Sequence, residues 1–349
     1  MKACFVHAAH DLRISDIASP GKPGADEVRV RYRSGGICGS DIHYYHSGRV
    51  GNFDIREPLI IGHEVAGEVL EVGASVTAFA AGDRVAINPS RPCHRCDYCR
   101  RGLTNLCEEM VFLGSAAVFP HIQGGFREEL MVLASQCVKL PDDLPFTRAA
   151  FAEPLAVCLH AVNRAMPVTH QRVLVTGCGP IGCLVIKAAR HAGCRSITAT
   201  DLDDTVLAHA GAAGATETIN LGTHTAAMSD YESGRGYFDV AFECSGSPLA
   251  YNSCIRALKP RGKLVQLGMM PPGENAIETN RILPKELAIL GSFRFHDEFE
   301  LAVEAIASGR IEVDSLLTGV FAFGQADEAF ALATDRRQHM KIQLQWDTP

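Results

Sequence analysis

Four cysteines crowd into one short polar segment of this 349-residue chain. Cys93, Cys96, Cys99 and Cys107 have the spacing C-x2-C-x2-C-x7-C, and cysteine thiolates so spaced bind zinc tetrahedrally. Four thiolates leave no open coordination position, so we expect a structural zinc in a lobe at about residues 90–110. Free surface thiols and disulfides are the alternatives. The total of 13 cysteines is odd and the N-terminus has no apolar signal core, which favours metal ligation.

A second group of metal-ligand side chains is scattered over three segments. Cys38, His63, Glu64 and Glu153 offer a thiol, an imidazole and two carboxyls. Taken singly, each would more often be an ordinary buried residue. Together they can supply three ligands and leave one position open, which is the arrangement of a catalytic zinc. We expect Cys38 and His63 to be ligands, with Glu64 and Glu153 competing for the third place or holding a water at the metal.

A glycine-rich turn between a predicted strand and a predicted helix could hold a dinucleotide. Gly177, Gly179 and Gly182 form the pattern G-x-G-x-x-G. The first glycine permits the tight turn, the second lets the backbone approach a pyrophosphate, and the third permits close helix packing. Asp201 stands 19 residues past Gly182, where a carboxylate can bind ribose hydroxyls and would repel a 2′-phosphate. A solvated aspartate is the alternative. The sequence predicts NAD, bound by Gly177, Gly179, Pro180, Ile181, Gly182 and Asp201.

Two kinds of domain must position these groups. Short valine-rich runs separated by glycine turns predict an irregular, mostly β domain in the first half. These runs lie at 28–30, 65–72 and 84–87. Strands and helices alternate after residue 153, which predicts an α/β domain with a doubly wound parallel sheet. The predicted strands are 173–176, 196–200, 238–242 and 263–267, and the predicted helices are 181–191 and 206–211, with a later helix at 298–308.

Composition excludes some classes of function. The chain is 47% hydrophobic and 21% charged, as is usual for a globular protein. Its net charge of -7 argues against nucleic-acid binding, which needs a basic surface. No segment has the roughly 20 apolar residues of a membrane span, so we expect a cytoplasmic protein without membrane contact. An anionic substrate would need a local positive charge, since the overall field repels it.

The order of these motifs resembles the zinc-containing medium-chain alcohol dehydrogenases over essentially the whole chain. Within that superfamily, Gly-His-Glu at 62–64 and Ala-Glu-Pro at 152–154 resemble the sorbitol dehydrogenase branch. Four strings resemble the bacterial L-idonate 5-dehydrogenases: 35–45, 86–90, 119–121 and 291–295. The resemblance implies a GroES-like catalytic domain at 1–152 and 286–349, and a Rossmann NAD-binding domain at 153–285. It also implies a homodimer or homotetramer.

The resemblance further implies roles for single residues. Ser40 and His43 match a hydroxyl–imidazole proton relay, for which histidine has a suitable pKa; a turn hydroxyl and a surface histidine are the alternative. Tyr44, Glu153 and Arg294 match positions that line the substrate pocket, with Arg49 and His121 as candidate helpers. Ser245, Leu267 and Ser292 match loops near the nicotinamide.

The expected reaction is hydride transfer from a secondary alcohol of a sugar acid to NAD, with two zinc ions per chain. L-idonate, oxidised to 5-dehydro-D-gluconate, is the first substrate candidate. A neutral polyol such as sorbitol or xylitol is the second, because Arg294 also occurs in polyol enzymes. A non-catalytic zinc-binding scaffold is the third alternative, and the simultaneous presence of ligands, relay and cofactor turn argues against it.

Overall fold

The first half of the chain consists mainly of β-strands, with few helices. The computed structural model describes residues 1–335 and 337–346. The elements of this half are β1 (Lys2–Ala8), β2 (Asp11–Asp16), β3 (Glu27–Gly36), α1 (Gly39–Ser47), β4 (Arg49–Val50), β5 (Phe53–Asp54), β6 (Leu59–Ile60), β7 (Glu64–Val72), β8 (Arg84–Ile87), β9 (Ser90–Arg91), α2 (Asp97–Arg100), β10 (Val111–Phe112), β11 (Glu129–Leu133), β12 (Cys137–Lys139) and α3 (Phe146–Ala149).

A parallel sheet with helices follows. Its elements are α4 (Ala152–Ala165), β13 (Arg172–Thr176), α5 (Pro180–His191), β14 (Ser196–Asp201), α6 (Asp204–Ala212), β15 (Glu217–Asn220), α7 (Ser229–Glu232), β16 (Phe238–Glu243), α8 (Pro248–Ala257), β17 (Leu258–Gln266) and β18 (Ala288–Gly291). The strand order is β15-β14-β13-β16-β17-β18, with every pair parallel. Separate apolar clusters cover the two faces, so the predicted doubly wound α/β fold is confirmed.

The last described elements return to the first half. They are α9 (Glu298–Ala307), β19 (Leu317–Ala322), α10 (Ala326–Thr334) and β20 (Lys341–Gln345). β20 pairs antiparallel with β3, with Gln343 opposite Gly36. The resulting sheet has the order β12-β8-β7-β3-β20-β19, with β11 also on β3. This pairing brings the tail beside the strand that leads into Cys38.

The expected domain boundary at residue 285 falls short of the sheet edge. β18 lies beyond that residue and pairs in parallel with β17, with Lys263 opposite Ala288. A four-residue strand carries too little periodicity to be assigned to one sheet from sequence. We therefore propose that the dinucleotide-binding domain extends from 153 to at least Gly291, and that the catalytic domain comprises 1–152 and the remainder of the tail.

Helix α4 connects the two domains. It contacts α5 and α9 of the second half and β7 of the first sheet. Its apolar side chains belong to a core that also contains Ala66 and Ala86 of the first sheet and Val173 of the second. A helix buried this completely holds its side chains in fixed positions relative to both sheets. None of the helices in 1–335 and 337–346 is long and apolar enough to span a membrane.

Candidate active site

One buried carboxylate fixes the geometry around Cys38. Asp41, in the first turn of α1, is fully buried. Its Oδ2 accepts the N–H of Cys38 at 3.0 Å and its Oδ1 accepts the N–H of Gly62 at 3.0 Å. These bonds tie the turn that carries Cys38 to the turn that precedes His63. Asp41 was not predicted from the sequence, although its place three residues after a candidate ligand, at a helix start, is a usable signal.

Glu64 is held by a lysine from the far end of the chain. Lys341 Nζ donates to both carboxylate oxygens of Glu64, at 2.7 and 2.8 Å. The two side chains are 4% and 1% exposed, so each charge is neutralised by the other inside the protein. A Cβ at Gly36 would lie 1.9 Å from Glu64 Oε2, and only glycine leaves room for the carboxylate there.

The three side chains Cys38, His63 and Glu64 converge. Their ligand atoms all lie within 4.8 Å of one another. His63 Nδ1 is 3.8 Å from Asp41 Oδ1 and makes no hydrogen bond within 1–335 and 337–346, and the His63 ring lies within hydrogen-bond reach of the Cys38 side chain. Burial alone would lower the pKa of His63, but Asp41 and Cys38 raise this pKa to about 10. The convergence of a thiol, an imidazole and a carboxylate fits a zinc ion.

Glu153 lies beside this group without belonging to the converging set. It stands in the first turn of α4 and is 6% exposed. Burial raises the pKa of its carboxyl to about 7, and His63 and Arg294 oppose a larger rise. Glu153 is therefore close enough to interact electrostatically with both the candidate metal site, at His63, and the candidate substrate residue, Arg294.

The glycine turn has the shape that a pyrophosphate requires. A Cβ at Gly177 would lie 2.7 Å from Ser245 Cα, and one at Gly182 would lie 2.0 Å from the Gly177 oxygen. A Cβ at Gly179 would meet nothing within 4 Å, so the backbone there is open at the N-terminus of α5. Such an N-terminus attracts anions. The turn 179–182 lines one cavity, of about 130 Å³, together with Cys38 and Glu64.

Asp201 is oriented toward the same turn. It ends β14, and its Oδ2 accepts the N–H of Cys178 at 2.7 Å while its Oδ1 accepts the N–H of Leu202 at 2.7 Å. The carboxylate lines a cavity of about 430 Å³ with Gly177 and Ser245. This cavity is large enough for part of a nucleotide, and its wall at Asp201 is negative.

The three predicted nicotinamide-side residues follow neighbouring strands. Ser245, Leu267 and Ser292 come after β16, β17 and β18, whose carboxyl ends meet at one edge of the sheet. Ser292 donates its N–H to the Gln266 oxygen at 3.0 Å, and its buried Oγ has no hydrogen-bond partner within the described part of the chain. An unsatisfied buried hydroxyl at this edge fits contact with a bound polar group.

The cysteine quartet is assembled as a closed site. The Sγ atoms of Cys93, Cys96, Cys99 and Cys107 lie within 4.8 Å of one another. Backbone N–H groups point at the sulfurs: that of Cys93 donates to Cys107 Sγ at 3.2 Å, and that of Cys96 to Cys93 Sγ at 3.3 Å. The N–H groups of Cys99 and Glu108 lower the pKa of Cys96 to about 6, while burial raises the pKa of Cys99 to about 12. Four clustered thiols fit a structural zinc.

Arg294 presents an unpaired guanidinium near Glu153. The guanidinium carbon lies 4.2 Å from the centre of the Phe112 ring and 4.8 Å from that of Phe293. Burial lowers the pKa of Arg294, and the nearby Glu153 and Tyr44 partly offset this. No hydrogen bond or ion pair joins the guanidinium to another residue of 1–335 or 337–346. Tyr44 is 3% exposed and its hydroxyl accepts the N–H of Ala116 at 2.9 Å.

The two candidate helpers of Arg294 are engaged elsewhere. Arg49 Nε donates to the Gly51 oxygen at 2.9 Å and lies 3.4 Å from Asp54. His121 Nε2 accepts the N–H of Arg56 at 2.8 Å and its Nδ1 therefore donates to the Val118 oxygen, also at 2.8 Å. Both ring nitrogens of His121 are thus used within the protein, and neither is left to bind a substrate carboxylate.

Comparison with known proteins agrees with this arrangement. Residues 24–142 match the family "Alcohol dehydrogenase GroES-like domain" and residues 180–308 match "Zinc-binding dehydrogenase". The chain is 42% identical over 316 residues to the L-idonate 5-dehydrogenase (NAD(P)(+)) of Escherichia coli K12, covering 90% of each. The chain belongs to the zinc-binding alcohol dehydrogenases.

Other relatives of this dehydrogenase cover nearly all of its length. It is 34% identical to the sorbitol dehydrogenase of Bacillus subtilis, covering 95% of this chain and 93% of the relative. The crystal structure of L-idonate 5-dehydrogenase from E. coli K-12 superposes with a TM-score of 0.94 at 38% identity, covering 99% of this chain and 98% of that one. The predicted combination of a GroES-like and a Rossmann domain is therefore confirmed.

Two residues of the dehydrogenase that the sequence did not predict make contacts with residues far away in the chain. Lys341 reaches Glu64 across 277 positions, and no local pattern marks that lysine. Asn105 of the cysteine lobe reaches the Phe293 oxygen across 188 positions. The predicted relay pair Ser40 and His43 occupies α1, where Ser40 is partly buried and His43 is exposed.

Proposed function

We propose that this dehydrogenase oxidises the C5 hydroxyl of L-idonate with NAD to give 5-dehydro-D-gluconate. The observation that carries the proposal is the unpaired, half-buried guanidinium of Arg294 beside Glu153. A buried cation without a partner is costly, and a substrate carboxylate would relieve that cost with two parallel hydrogen bonds. The 42% identical E. coli relative, an L-idonate 5-dehydrogenase, supports this choice of substrate.

The stacked rings around Arg294 suit a planar recognition mode. Phe112 and Phe293 contact the guanidinium through aromatic rings, which holds the guanidinium in place without using its N–H donors. Those donors stay available for a carboxylate. A chain with net charge -7 gives an anion no long-range attraction, so this local cation must select it.

Cys38, His63 and Glu64 are proposed as the ligands of the catalytic zinc. Glu64 is favoured over Glu153 as third ligand because only Glu64 lies within the 4.8 Å set. A zinc ion held there would supply Lewis-acid stabilisation of the negative charge that develops on the substrate oxygen. Lys341 holds the Glu64 carboxylate in place by hydrogen bonds to both of its oxygens, and Glu153 lies near Arg294.

Helix α1 provides a route by which the substrate proton could leave. Ser40 and His43 are three positions apart and so lie on one side of the helix. Ser40 is partly buried and His43 is exposed, so the pair leads from the site toward solvent. We propose that Ser40 accepts the hydroxyl proton at Oγ and passes it to the imidazole of His43.

NAD is proposed as the coenzyme, in preference to NADP. The carboxylate of Asp201 lines the cavity where an adenosine ribose would lie, and a 2′-phosphate there would meet like charge. The arginine that lines the same cavity, Arg256, is already paired with Glu232 at 2.6 Å and Glu278 at 2.7 Å. No cation of the described cavity wall is thus left for a 2′-phosphate.

A neutral polyol is the second candidate substrate. The sorbitol dehydrogenase of B. subtilis, 34% identical, favours it, and Tyr44 and Glu153 could bind hydroxyl groups as well as they could flank a carboxylate.

A substrate panel tests the proposal. L-idonate should be oxidised with a higher kcat/KM than L-iditol, which has the same hydroxyl stereochemistry and lacks only the carboxylate. D-gluconate, the C5 epimer, controls for stereochemistry, and sorbitol, xylitol and galactitol represent neutral polyols. Each is assayed with NAD and with NADP. A higher kcat/KM for L-iditol or sorbitol than for L-idonate would replace the sugar acid by a polyol.

A homodimer or homotetramer is proposed as the assembly. β18 lies at the edge of the six-stranded sheet and pairs on one side only. Ile289 on this strand and Leu283 and Phe293 near its ends are exposed, at 37%, 83% and 55%. An apolar strand edge is usually covered by another chain, and a second copy of this chain is the proposed partner. Light scattering on the eluting peak of a sizing column measures the state.

A further inference from the structure

Arg294 has a backbone conformation that residues other than glycine rarely adopt. Its φ is 54°, in the left-handed region that residues with a Cβ rarely adopt. Such conformations persist where surrounding contacts impose them, and they cluster at functional sites. The contacts that impose this one must act on the backbone next to Arg294.

Asn105 of the cysteine lobe makes such a contact. It lies in the 3₁₀ turn Thr104–Leu106, directly before Cys107, and is 6% exposed. Its Nδ2 donates to the Phe293 oxygen at 2.9 Å. The Oδ1 of the same amide has no hydrogen-bond partner within 1–335 and 337–346. Turning the amide over would set oxygen against oxygen, so the side chain tolerates one unmet acceptor in order to make one bond.

The strand that directly follows the lobe, β10, also contacts the side chain of Arg294. Phe112, five positions after Cys107, places its ring 4.2 Å from the guanidinium carbon. A cavity of about 330 Å³ lies between the lobe and this segment, lined by Tyr98, Asn105, Leu106, Cys107, Met110, Phe293 and Arg294. The Asn105 bond and the Phe112 ring join the two sides of this cavity.

We propose that Asn105 is a positioning residue that sets the affinity for an anionic substrate by fixing the backbone of Phe293–Arg294. The cysteine lobe then has a second role besides holding its own zinc: it positions the Arg294 guanidinium in the substrate site. This inference rests on the proposed function, in which Arg294 binds the substrate carboxylate. It requires no contact between Asn105 and substrate.

The first experiment replaces Asn105 by alanine and by aspartate. Asn105→Ala removes the bond, and Asn105→Asp keeps the volume but cannot donate. Each variant should raise KM for L-idonate by about tenfold, a factor that corresponds to the loss of one hydrogen bond. The value of kcat should change by less than about twofold, because the groups around the C5 hydroxyl are untouched. KM for L-iditol should change much less. A merely structural residue would move both substrates alike.

Direct binding supplies a readout without turnover. In the presence of NADH, which cannot accept hydride, the Kd of L-idonate measured by calorimetry should rise by the same factor as KM. Asn252→Ala is the matched control: Asn252 is 9% exposed, donates to the Ala276 oxygen at 2.9 Å and accepts the N–H of Glu278 at 2.9 Å, and neither bond reaches Phe293 or Arg294. It should lower the melting temperature and leave the Kd of L-idonate unchanged.

A double-mutant cycle separates this inference from the proposed function. In an Arg294→Ala background, Asn105→Ala should cause no further loss on L-idonate, because the guanidinium it positions is gone. Additive losses, an unchanged KM for L-idonate, or equal changes on L-iditol would overturn the role of Asn105. So would loss of folding in both Asn105 variants, which would make the residue structural. If Arg294→Ala itself harms both substrates equally, the proposed function fails first.

Discussion

Replacing Arg294 by alanine should damage the oxidation of L-idonate far more than that of L-iditol. A charge-assisted hydrogen bond is worth about 1.5–3 kcal/mol and a neutral one about 0.5–1.5 kcal/mol. Arg294 is half-buried, so solvent screens part of its charge and the lower half of each range applies. Counting the guanidinium–carboxylate pair as one charge-assisted interaction, with tenfold per 1.36 kcal/mol, kcat/KM should fall by about 10- to 50-fold on L-idonate and by less than about fivefold on L-iditol.

The backbone is not expected to obscure this comparison. Alanine keeps the Cβ, so the left-handed φ of 54° is equally strained in both proteins. Arg294→Lys should recover part of the activity, because an ammonium keeps the charge and loses the planar fork. Steady-state assays on the two substrates, with melting curves as a check on folding, measure the effect. Equal losses on L-idonate and L-iditol would refute the assignment of a carboxylate to Arg294.

Further expectations concern the metals, the coenzyme and acid stability. Elemental analysis should find two zinc ions per chain. Cys38→Ser should lose one zinc ion and turnover while the fold is retained, whereas Cys96→Ser should lower the melting temperature. The reverse pattern would mean that the catalytic and structural zinc sites are assigned the wrong way round. Asp201→Ser combined with Leu202→Arg should narrow the preference for NAD over NADP by removing the repulsion and adding a phosphate partner; an unmutated enzyme equally efficient with both would contradict this. Burial would raise the pKa of Glu298, but hydrogen bonds, of which that from His160 is the strongest, lower it to about 2. The stability that ionised Glu298 contributes is therefore complete above the unfolded pKa of 4.5 and disappears as the pH falls toward 2. In urea unfolding, Glu298→Gln should have a smaller free energy of unfolding than the parent protein near neutral pH, and that free energy should fall less on acidification.

Local signals explain why the dinucleotide domain could be predicted in some detail. The predicted helix 181–191 is observed as Pro180–His191, and the predicted strand 196–200 as Ser196–Asp201. Each is marked by its own glycine turn or β-branched run. The close approach at Gly182 is to Gly177 of the same motif, whereas the one at Gly177 is to Ser245, which follows β16 and is distant in the chain. The cysteine quartet is likewise local, since all four residues lie within one lobe.

Long-range contacts explain what could not be predicted. Helix α4 is not among the helices predicted from the sequence. Most of its side chains are buried because it packs against β7, α5 and α9, and only the tertiary fold brings these elements together. The pairing of Lys341 with Glu64 joins strands from opposite ends of the chain. The Asn105 bond to Phe293 joins the lobe to the tail segment. Such pairs arise from the tertiary fold and leave no spacing pattern in the sequence.

Isotope transfer from C5 of the substrate tests the central claim most directly. L-idonate carrying deuterium only at C5 is oxidised with NAD. The deuterium content of the NADH and of the sugar acid product is then measured by mass spectrometry. The account predicts that the deuterium appears in the NADH and that the product is 5-dehydro-D-gluconate without label. Deuterium retained in the oxidised product, with unlabelled NADH, would place the reaction at another carbon and contradict the account.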